Sequence, residues 1–204
     1  MGYAILVVEH RQLFVTCTNL QVCRNMLNAR VLVEFDGEIA SAIQLLSPYA
    51  QAGVAEAEFL LSEIGLPQET YAEFDARHIR LLESSAIKGY PPALYRFGAC
   101  LDVGDLVPED KKRAAGYFRE AALAGHAHSQ WIHGQDFLHG RNGVTKDPIK
   151  GQEFLLKSVA AKFVPALETV ARHYEDGAYG FPKSPAEAEK CRSMMQDVDA
   201  IEMS

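Results

Sequence analysis

Residues 89–125 read GYPPALYRFGACLDVGDLVPEDKKRAAGYFREAALAG, and this stretch decides the fold. Apolar residues recur every three to four positions in each half of it, which predicts two amphipathic helices joined by a turn. Pro91 and Pro92 suit the start of the first helix, where no backbone N–H is needed. Gly89 and Gly125 suit helix ends, because glycine readily adopts the positive φ angle found there. The stretch is therefore one helix–turn–helix unit.

The unit recurs at a nearly constant period. Gly53, Gly89 and Gly125 are spaced 36 residues apart, and the next equivalent, Lys162, follows after 37. Small residues recur where paired helices would cross, at Ser62, Gly98, Gly134 and Ala171. A fixed period in this range is typical of an α-solenoid. Because lysine replaces glycine at position 162, we expect a strained left-handed residue or a reshaped turn there.

These residues resemble the Sel1-like repeats, a branch of the tetratricopeptide-type α/α repeats. The first complete copy matches the family pattern at Ala93, Phe97, Gly98, Leu101, Gly104, Val107, Asp110, Arg113, Ala114, Tyr117, Phe118, Ala121, Ala122 and Gly125. The resemblance covers about residues 36–195 and is most specific in the middle. It implies an all-α fold, a right-handed α/α solenoid of about four repeats with an irregular N-terminal cap.

The first 35 residues break the repeat, so we divide the chain into residues 1–35 and 36–204. We expect the N-terminal part to be a cap or a degenerate first helix, because a terminal repeat needs a different outer face. Residues 1–17 are rich in apolar and β-branched side chains, which fits a hairpin, an extended segment or a helix. We expect this segment to cap the solenoid or to pair two chains into a homodimer.

Helices are predicted at 19–34, 36–52, 55–64, 70–87, 91–102, 110–123, 127–138, 147–160, 164–175 and 185–199. Asp110, Asp147 and Ser184 stand where an N-cap is needed. Pro148 and Pro185 follow the last two of these residues and suit the first turn of a helix.

Composition limits the partners and the compartment. A net charge of −7 argues against nucleic acid, which requires a basic face. No apolar run approaches the roughly 20 residues of a membrane helix, so no membrane span is predicted. The N-terminus lacks the basic region of a secretory signal, which favours the cytoplasm, or the periplasm or secretion if a signal peptide has been removed. Cys17, Cys23, Cys100 and Cys191 follow no metal-binding spacing, which favours reduced thiols, and we expect Cys100 and Cys191 to be buried.

A histidine cluster offers one alternative function. His126, His128, His133 and His139 lie close together with Asp136, and such side chains could bind a metal or a small ligand. The repeat register places His133 at a core position, where a buried histidine is the competing interpretation. Neither a phosphate-binding glycine loop nor a nucleophile elbow is present, so we predict no enzyme and no cofactor. A β-lactamase-like hydrolase, described for some family members, is the other alternative.

The resemblance implies an adaptor or scaffold that holds a peptide or a partner protein in a concave groove, often in bacterial pathways. The first helix of each pair lines that groove in tetratricopeptide-type repeats. The corresponding positions here hold Phe59, Glu63, Tyr95, Asp102, Trp131, Gln135, Glu168, Arg172 and Glu175, flanked by His128 and His139. Phe59, Tyr95 and Trp131 are spaced 36 residues apart and form an aromatic ladder. These rings either face the groove or pack between neighbouring helices.

Overall fold

The computed structural model describes residues 4–8, 11–15, 20–34 and 38–202, with side chains described for residues 21–32 and 38–198. The chain divides into two compact units. Unit 1 comprises the described residues of 1–6 and 13–120, and unit 2 comprises those of 7–12 and 121–202.

Ten helices and one pair of strands make up the described residues. The strands β1 (Ala4–Val8) and β2 (Arg11–Val15) form a two-stranded sheet. The helices are α1 Leu20–Glu34, α2 Ile39–Gln51, α3 Ala55–Ser62, α4 Tyr71–Ile87, α5 Pro91–Val103, α6 Lys111–Leu123, α7 Ala127–His139, α8 Pro148–Ala160, α9 Val164–Asp176 and α10 Pro185–Glu202. The predicted helices are all present, with ends shifted by at most a few residues.

The predicted N-caps are confirmed. Asp110 accepts a hydrogen bond from the backbone N–H of Arg113 at 2.9 Å, and Asp147 accepts one from Lys150 at 3.2 Å. Ser184 does the same at the start of α10, at 3.3 Å. Each bond satisfies one of the N–H groups that the first helical turn leaves without an intrahelical acceptor.

The turn at Lys162 takes the strained form. Gly89 and Gly125 end their helix pairs with φ angles of 81° and 96°, and Lys162 adopts a φ of 57° at the equivalent position. A side chain with a Cβ atom rarely occupies this left-handed region because the Cβ crowds the backbone. Lys162 thus adopts the left-handed conformation that glycine adopts at the equivalent turns of the other repeats.

Unit 1 is built from neighbouring helices packed in chain order. Helix α1 packs against α2 and α3, α2 against α3, α3 against α4, and α4 against α5. Met26 and Ala29 of α1 join Leu46, Ala57 and Leu61 in one buried apolar cluster. Helix α1 is therefore part of the unit 1 core. Residues 1–3, 9–10 and 16–19 lie outside the described part of the chain, and the capping role of residues 1–17 stays a prediction.

Unit 2 contains a close helix crossing. Helix α7 meets α8 at Gly134 and Gly151, where a Cβ atom on either glycine would lie 3.0 Å from the backbone oxygen of the other. Helices α9 and α10 complete a core in which Leu155, Leu167 and Val170 are fully buried. The missing side chains of the two glycines let the helix backbones approach.

The cysteine prediction is half right. Cys23, Cys100 and Cys191 are free thiols, and Cys191 is buried as predicted. Cys100 is only half-buried, because Leu101 next to it takes the inward-facing position of that turn of α5. Burial raises the pKa of both thiols, so both are protonated and poorly nucleophilic near neutral pH. Cys17 lies outside the described residues.

Candidate functional site

Two rings of the predicted ladder lie on the first helices of unit 1. Phe59 and Tyr95 are half-buried on α3 and α5. The Phe59 ring lies 5.4 Å from that of Tyr90, and the Tyr95 ring lies 5.7 Å from that of Phe118, measured between centroids. Both rings therefore pack against a neighbouring ring and keep part of their surface open. Burial raises the pKa of the Tyr95 hydroxyl, so it stays neutral and can donate a hydrogen bond.

The polar residues beside these rings are partly paired. Glu63 forms an ion pair with Arg96 of α5 at 2.8 Å and lies 3.9 Å from the His78 ring. Asp102 is exposed at the end of α5. Sequence reasoning missed Arg96, because it stands one position after the ladder residue and no periodic signal connects it with Glu63. The ion pair reduces the free negative charge of this surface.

Trp131 is the centre of an aromatic cluster in unit 2. Its ring lies 5.7 Å from that of His128 and 6.0 Å from that of Phe163. His128 and Phe163 stack on each other at 5.0 Å with an interplanar angle of 28°. The indole N–H of Trp131 donates to the Thr169 hydroxyl at 3.0 Å. We call Trp131, His128 and Phe163 the Trp131 cluster.

Trp131 packs between helices and also leaves part of its ring exposed. Trp131 packs against the buried core of unit 2, as a ring between helices would. It is also only half-buried, so one side of the indole remains accessible. Phe163 and Thr169 were missed as neighbours. A buried indole N–H usually finds a hydrogen-bond acceptor, and that rule was the available signal for a residue such as Thr169.

The histidines of this region are uncharged near neutral pH. Burial lowers the pKa of His128, and it lowers the pKa of His126 to about 4. His126 is the N-cap of α7 and accepts a hydrogen bond from the backbone N–H of Ser129 at 3.3 Å. The Trp131 cluster is therefore a neutral aromatic surface at pH 7.

Two exposed charged residues lie on α9, the helix that carries Thr169. Glu168 and Arg172 are exposed and lie one turn apart, on either side of Thr169 in the sequence. Gln135 of α7 is half-buried. An anion and a cation thus lie on the helix whose Thr169 hydroxyl holds the Trp131 indole.

Two other predicted site residues are held by neighbours. Glu175 forms an ion pair with Arg192 of α10. His139 is exposed, and its ring lies 5.2 Å from that of Tyr179 in the loop before α10. Both residues lie at the C-terminal ends of their helices, whereas the Trp131 cluster is formed by the N-terminal half of α7 and the N-cap of α9.

The structure does not gather the histidines into a metal site. His133 is buried, and its ring packs edge-on against those of Phe137 at 4.8 Å and Phe154 at 4.9 Å. No group of three His, Cys, Asp or Glu side chains in the described part of the chain could hold a metal ion. The core position that the repeat register gave to His133 is confirmed.

One spacing typical of a hydrolase is present in the sequence but is not activated. Ser85 and Lys88 form a Ser-x-x-Lys stretch, the spacing found in β-lactamases. The Ser85 hydroxyl is fully buried and donates to the backbone oxygen of Ala55 at 2.6 Å. The Lys88 ammonium instead bonds both carboxylate oxygens of Glu58 at 2.6 Å. Neither group is positioned to attack a substrate.

The pKa of His126 predicts a loss of stability in acid. The folded state keeps this histidine neutral down to about pH 4, whereas the unfolded chain takes up a proton near pH 6.5. The unfolded state therefore binds more protons between these values, and stability falls as the pH is lowered through that interval. We expect His126→Asn, which keeps an N-cap side chain, to show a smaller drop in melting temperature between pH 7 and pH 5 than the parent. Equal drops in both proteins would contradict this assignment.

Comparison with known families identifies the repeats. The family model described as Sel1 repeat matches residues 91–126 and 127–162. Residues 91–162 are two Sel1 repeats. In the structure these copies are α5 with α6 and α7 with α8, so the helix pairs and the family repeats coincide.

Solved structures share the fold. The chain is similar to a Sel1 repeat protein from Oxalobacter formigenes, with a TM-score of 0.66, 22% identity, and coverage of 88% of this chain and 74% of that chain. It is similar to c5321, a protective antigen of uropathogenic Escherichia coli with an SLR fold, with a TM-score of 0.60, 21% identity, and coverage of 86% and 38%. The immunity protein Pa5087 from Pseudomonas aeruginosa gives a TM-score of 0.50, 16% identity, and coverage of 91% and 85%. These likenesses show an all-α fold of the α/α solenoid class. Among the described residues, no helix has the length and apolar character needed to cross a membrane.

Proposed function

We propose that this Sel1-repeat chain is a protein-interaction scaffold whose first helices bind a peptide or a partner protein. The single observation that carries the proposal is the Trp131 cluster, a half-open aromatic surface that is neutral at pH 7. Aromatic side chains dominate the energetic centres of protein interfaces, because they bury a large rigid area when a partner covers them. The fold is one that commonly serves as such a scaffold.

Charges near the cluster select the kind of segment that can bind. Glu168 and Arg172 are both exposed, and no ion pair joins either of them to another described side chain. A partner that presents an apolar side chain to the indole and one charge of each sign beside it satisfies both groups. Such rim charges contribute mainly to partner selection and to the association rate, while the ring contributes most of the affinity.

Unit 1 supplies a second surface of the same character. Phe59 and Tyr95 are half-buried, with the Glu63–Arg96 ion pair and Asp102 on the same helices. This surface has one cation, Arg96, and two anions, Glu63 and Asp102, so it favours a slightly basic segment. Each surface binds one stretch of the partner.

The test combines a ring substitution with charge substitutions. We expect Trp131→Ala to weaken partner binding by at least about tenfold and to lower the melting temperature, because the ring also packs against the core. Glu168→Lys and Arg172→Glu should weaken binding with little change in melting temperature, since both side chains are exposed. The measurement is capture of partners from native lysate, identification by mass spectrometry, and titration of the purified partner.

The control for Glu168→Lys is Gln196→Lys, which also introduces a lysine at an exposed helical position, here on α10. It should leave both binding and melting temperature unchanged. If the partner binds Trp131→Ala, Glu168→Lys and Arg172→Glu as tightly as the parent, the proposed surface is wrong. Loss of binding in the Gln196→Lys control as well would show a general charge effect and would also contradict the assignment.

A further inference from the structure

The loop that joins α5 to α6 exposes apolar side chains. We call residues 104–110 loop A, residues 140–147 loop B and residues 177–184 loop C, since each joins the two helices of one repeat. Val103, at the end of α5, is 70% exposed, and Leu106 of loop A is 43% exposed. Apolar surface that a partner covers contributes favourably to binding, and the cost of binding is lower when the backbone beneath that surface is rigid.

The backbone of loop A is held at both ends. The N–H groups of Gly104 and Asp105 both donate to the backbone oxygen of Cys100, at 2.9 Å and 3.0 Å. The N–H of Asp110 donates to the oxygen of Leu101 at 2.8 Å. Loop A therefore presents its side chains from a fixed frame, and a partner that binds it loses little conformational entropy in ordering the loop.

Loops B and C repeat these three hydrogen bonds, and each is one residue longer than loop A. In loop B, Gly140 and Arg141 donate to the oxygen of Asp136, and Asp147 donates to that of Phe137. The corresponding bonds of loop C join residues 177 and 178 to residue 173, and residue 184 to residue 174. The first three residues and the last two residues of each loop therefore correspond, and loops B and C insert Gly143 and Gly180 between them.

The left-handed conformation at position 106 does not favour leucine. Leu106, Asn142 and Tyr179 occupy the same place with φ angles of 58°, 50° and 53°. Asparagine adopts this left-handed region more readily than leucine does. Asn142 also uses its side chain to bond Asp136 at 3.0 Å, and the Tyr179 ring packs against His173 at 4.9 Å. Leu106 instead leaves 43% of its surface exposed.

The charges of loop A are opposite to those of loop B. A Cβ atom on the glycine that ends each first helix would lie 3.2–3.3 Å from the Cβ of Glu109, Lys146 or Lys183, so these three residues are equivalent. Asp105 likewise corresponds to Arg141. The backbone at these two positions thus accommodates an acidic or a basic side chain. Loop A carries exposed carboxylates beside its apolar residues, and Lys111 reaches Glu109 only at 3.7 Å between two exposed side chains.

We propose that loop A, together with Val103, is a docking surface for a basic segment of a partner protein that places an apolar side chain against Val103 and Leu106. The exposed leucine provides the apolar contact, and the carboxylates of Asp105 and Glu109 select lysine and arginine around it. Loop A is not part of the first-helix surface of unit 1 in the proposed function, although Asp102 of that surface directly precedes Val103 in the chain.

The test uses a display library of random twelve-residue peptides. Peptides are selected on the immobilised protein and counter-selected on a triple variant, Asp105→Arg, Leu106→Asn and Glu109→Lys, which places loop B residues on the loop A frame. We expect the surviving peptides to carry a net positive charge and a large apolar residue. Leu106→Asn alone should weaken the binding of a synthesised survivor by about tenfold, with an unchanged or higher melting temperature. Trp131→Ala should bind it as the parent does.

Several results would overturn the proposal. They are a failure to enrich any peptide that the triple variant excludes, survivors that are neutral or acidic, and survivors that bind Leu106→Asn normally. Binding that is lost in Trp131→Ala but kept in Leu106→Asn would assign the peptide to the Trp131 cluster. Self-association of the parent that the triple variant abolishes would make a second copy of this chain the occupant, and the proposed partner class would then be wrong.

Discussion

Gly151→Ala is expected to destabilise the protein by roughly 2–3 kcal/mol, because the α7–α8 crossing has no room for a methyl group. A Cβ atom at position 151 would lie 2.8 Å from Leu138 Cγ and 3.0 Å from the backbone oxygen of Gly134. Leu138 is fully buried, so its side chain has no free space to move into. Chemical denaturation of the parent and the variant, compared at unchanged m-value, measures the difference.

Gly116→Ala is the matched control for this substitution. Gly116 lies inside α6, and a Cβ atom there meets nothing within 4 Å. The change should stabilise the protein by up to about 1 kcal/mol, since alanine is a better helix former than glycine. The two substitutions are chemically identical and should act in opposite directions. A Gly151→Ala variant as stable as the parent would show that the helices separate at no cost and that the crossing does not require glycine.

The helices could be predicted from the sequence because their signals are local and repeated. The Asp147–Pro148 pair marks the start of α8. Because the repeat period is nearly constant, the helix boundaries of one copy predict those of the next. The left-handed conformation of Lys162 was predictable for the same reason, since the equivalent residues of the other repeats are glycines. Local signals fail at Cys100, because the degree of burial depends on which face of α5 the neighbouring helices cover.

The neighbours of the candidate site could not be predicted, because they depend on distances between helices. Trp131 was found from its register, but its bond to Thr169 joins residues 38 positions apart on α7 and α9. The ion pair of Glu63 with Arg96 crosses from α3 to α5 in the same way. The Ser85–Lys88 spacing is a sequence signal that does not correspond to a site. The sequence contains the pair, and only the structure shows that both groups are already bonded elsewhere.

Arg30 forms a buried contact that also had no sequence signal. Its guanidinium, on α1, donates to Glu56 Oε1 of α3 from Nε at 3.2 Å and from Nη2 at 3.0 Å. The same Nη2 bonds the hydroxyl of Tyr90 at the start of α5. One cation thus connects α1, α3 and α5 of unit 1. Glu56 is 3% exposed, and its Oε2 has no hydrogen-bond partner among the described residues.

Arg30→Met should therefore destabilise the protein strongly, by about 3 kcal/mol or more at neutral pH. The substitution keeps much of the apolar stem but leaves the Glu56 carboxylate buried without a cation, and an uncompensated buried charge is costly. Glu56→Gln should cost less, since the amide removes the buried charge and Arg30 reaches water with 16% of its side chain exposed. Arg24→Met, on the exposed side of the same helix, is the control and should change stability little.

The pH dependence separates this electrostatic effect from a simple loss of packing. Burial raises the pKa of Glu56 above its usual 4.5, and Arg30 opposes that rise. Without Arg30 the pKa of Glu56 rises further, so the native state binds a proton more tightly than the unfolded chain does. Stability contributed by this group then increases as the pH falls toward 4.5. Arg30→Met should thus recover part of its lost stability between pH 7.5 and pH 5.5, relative to the double variant Arg30→Met/Glu56→Gln, in which other titrating groups are the same. Parallel stability profiles for the two variants would show that Arg30 acts through packing alone. The charge of the Glu56 carboxylate would then make no contribution to the lost stability.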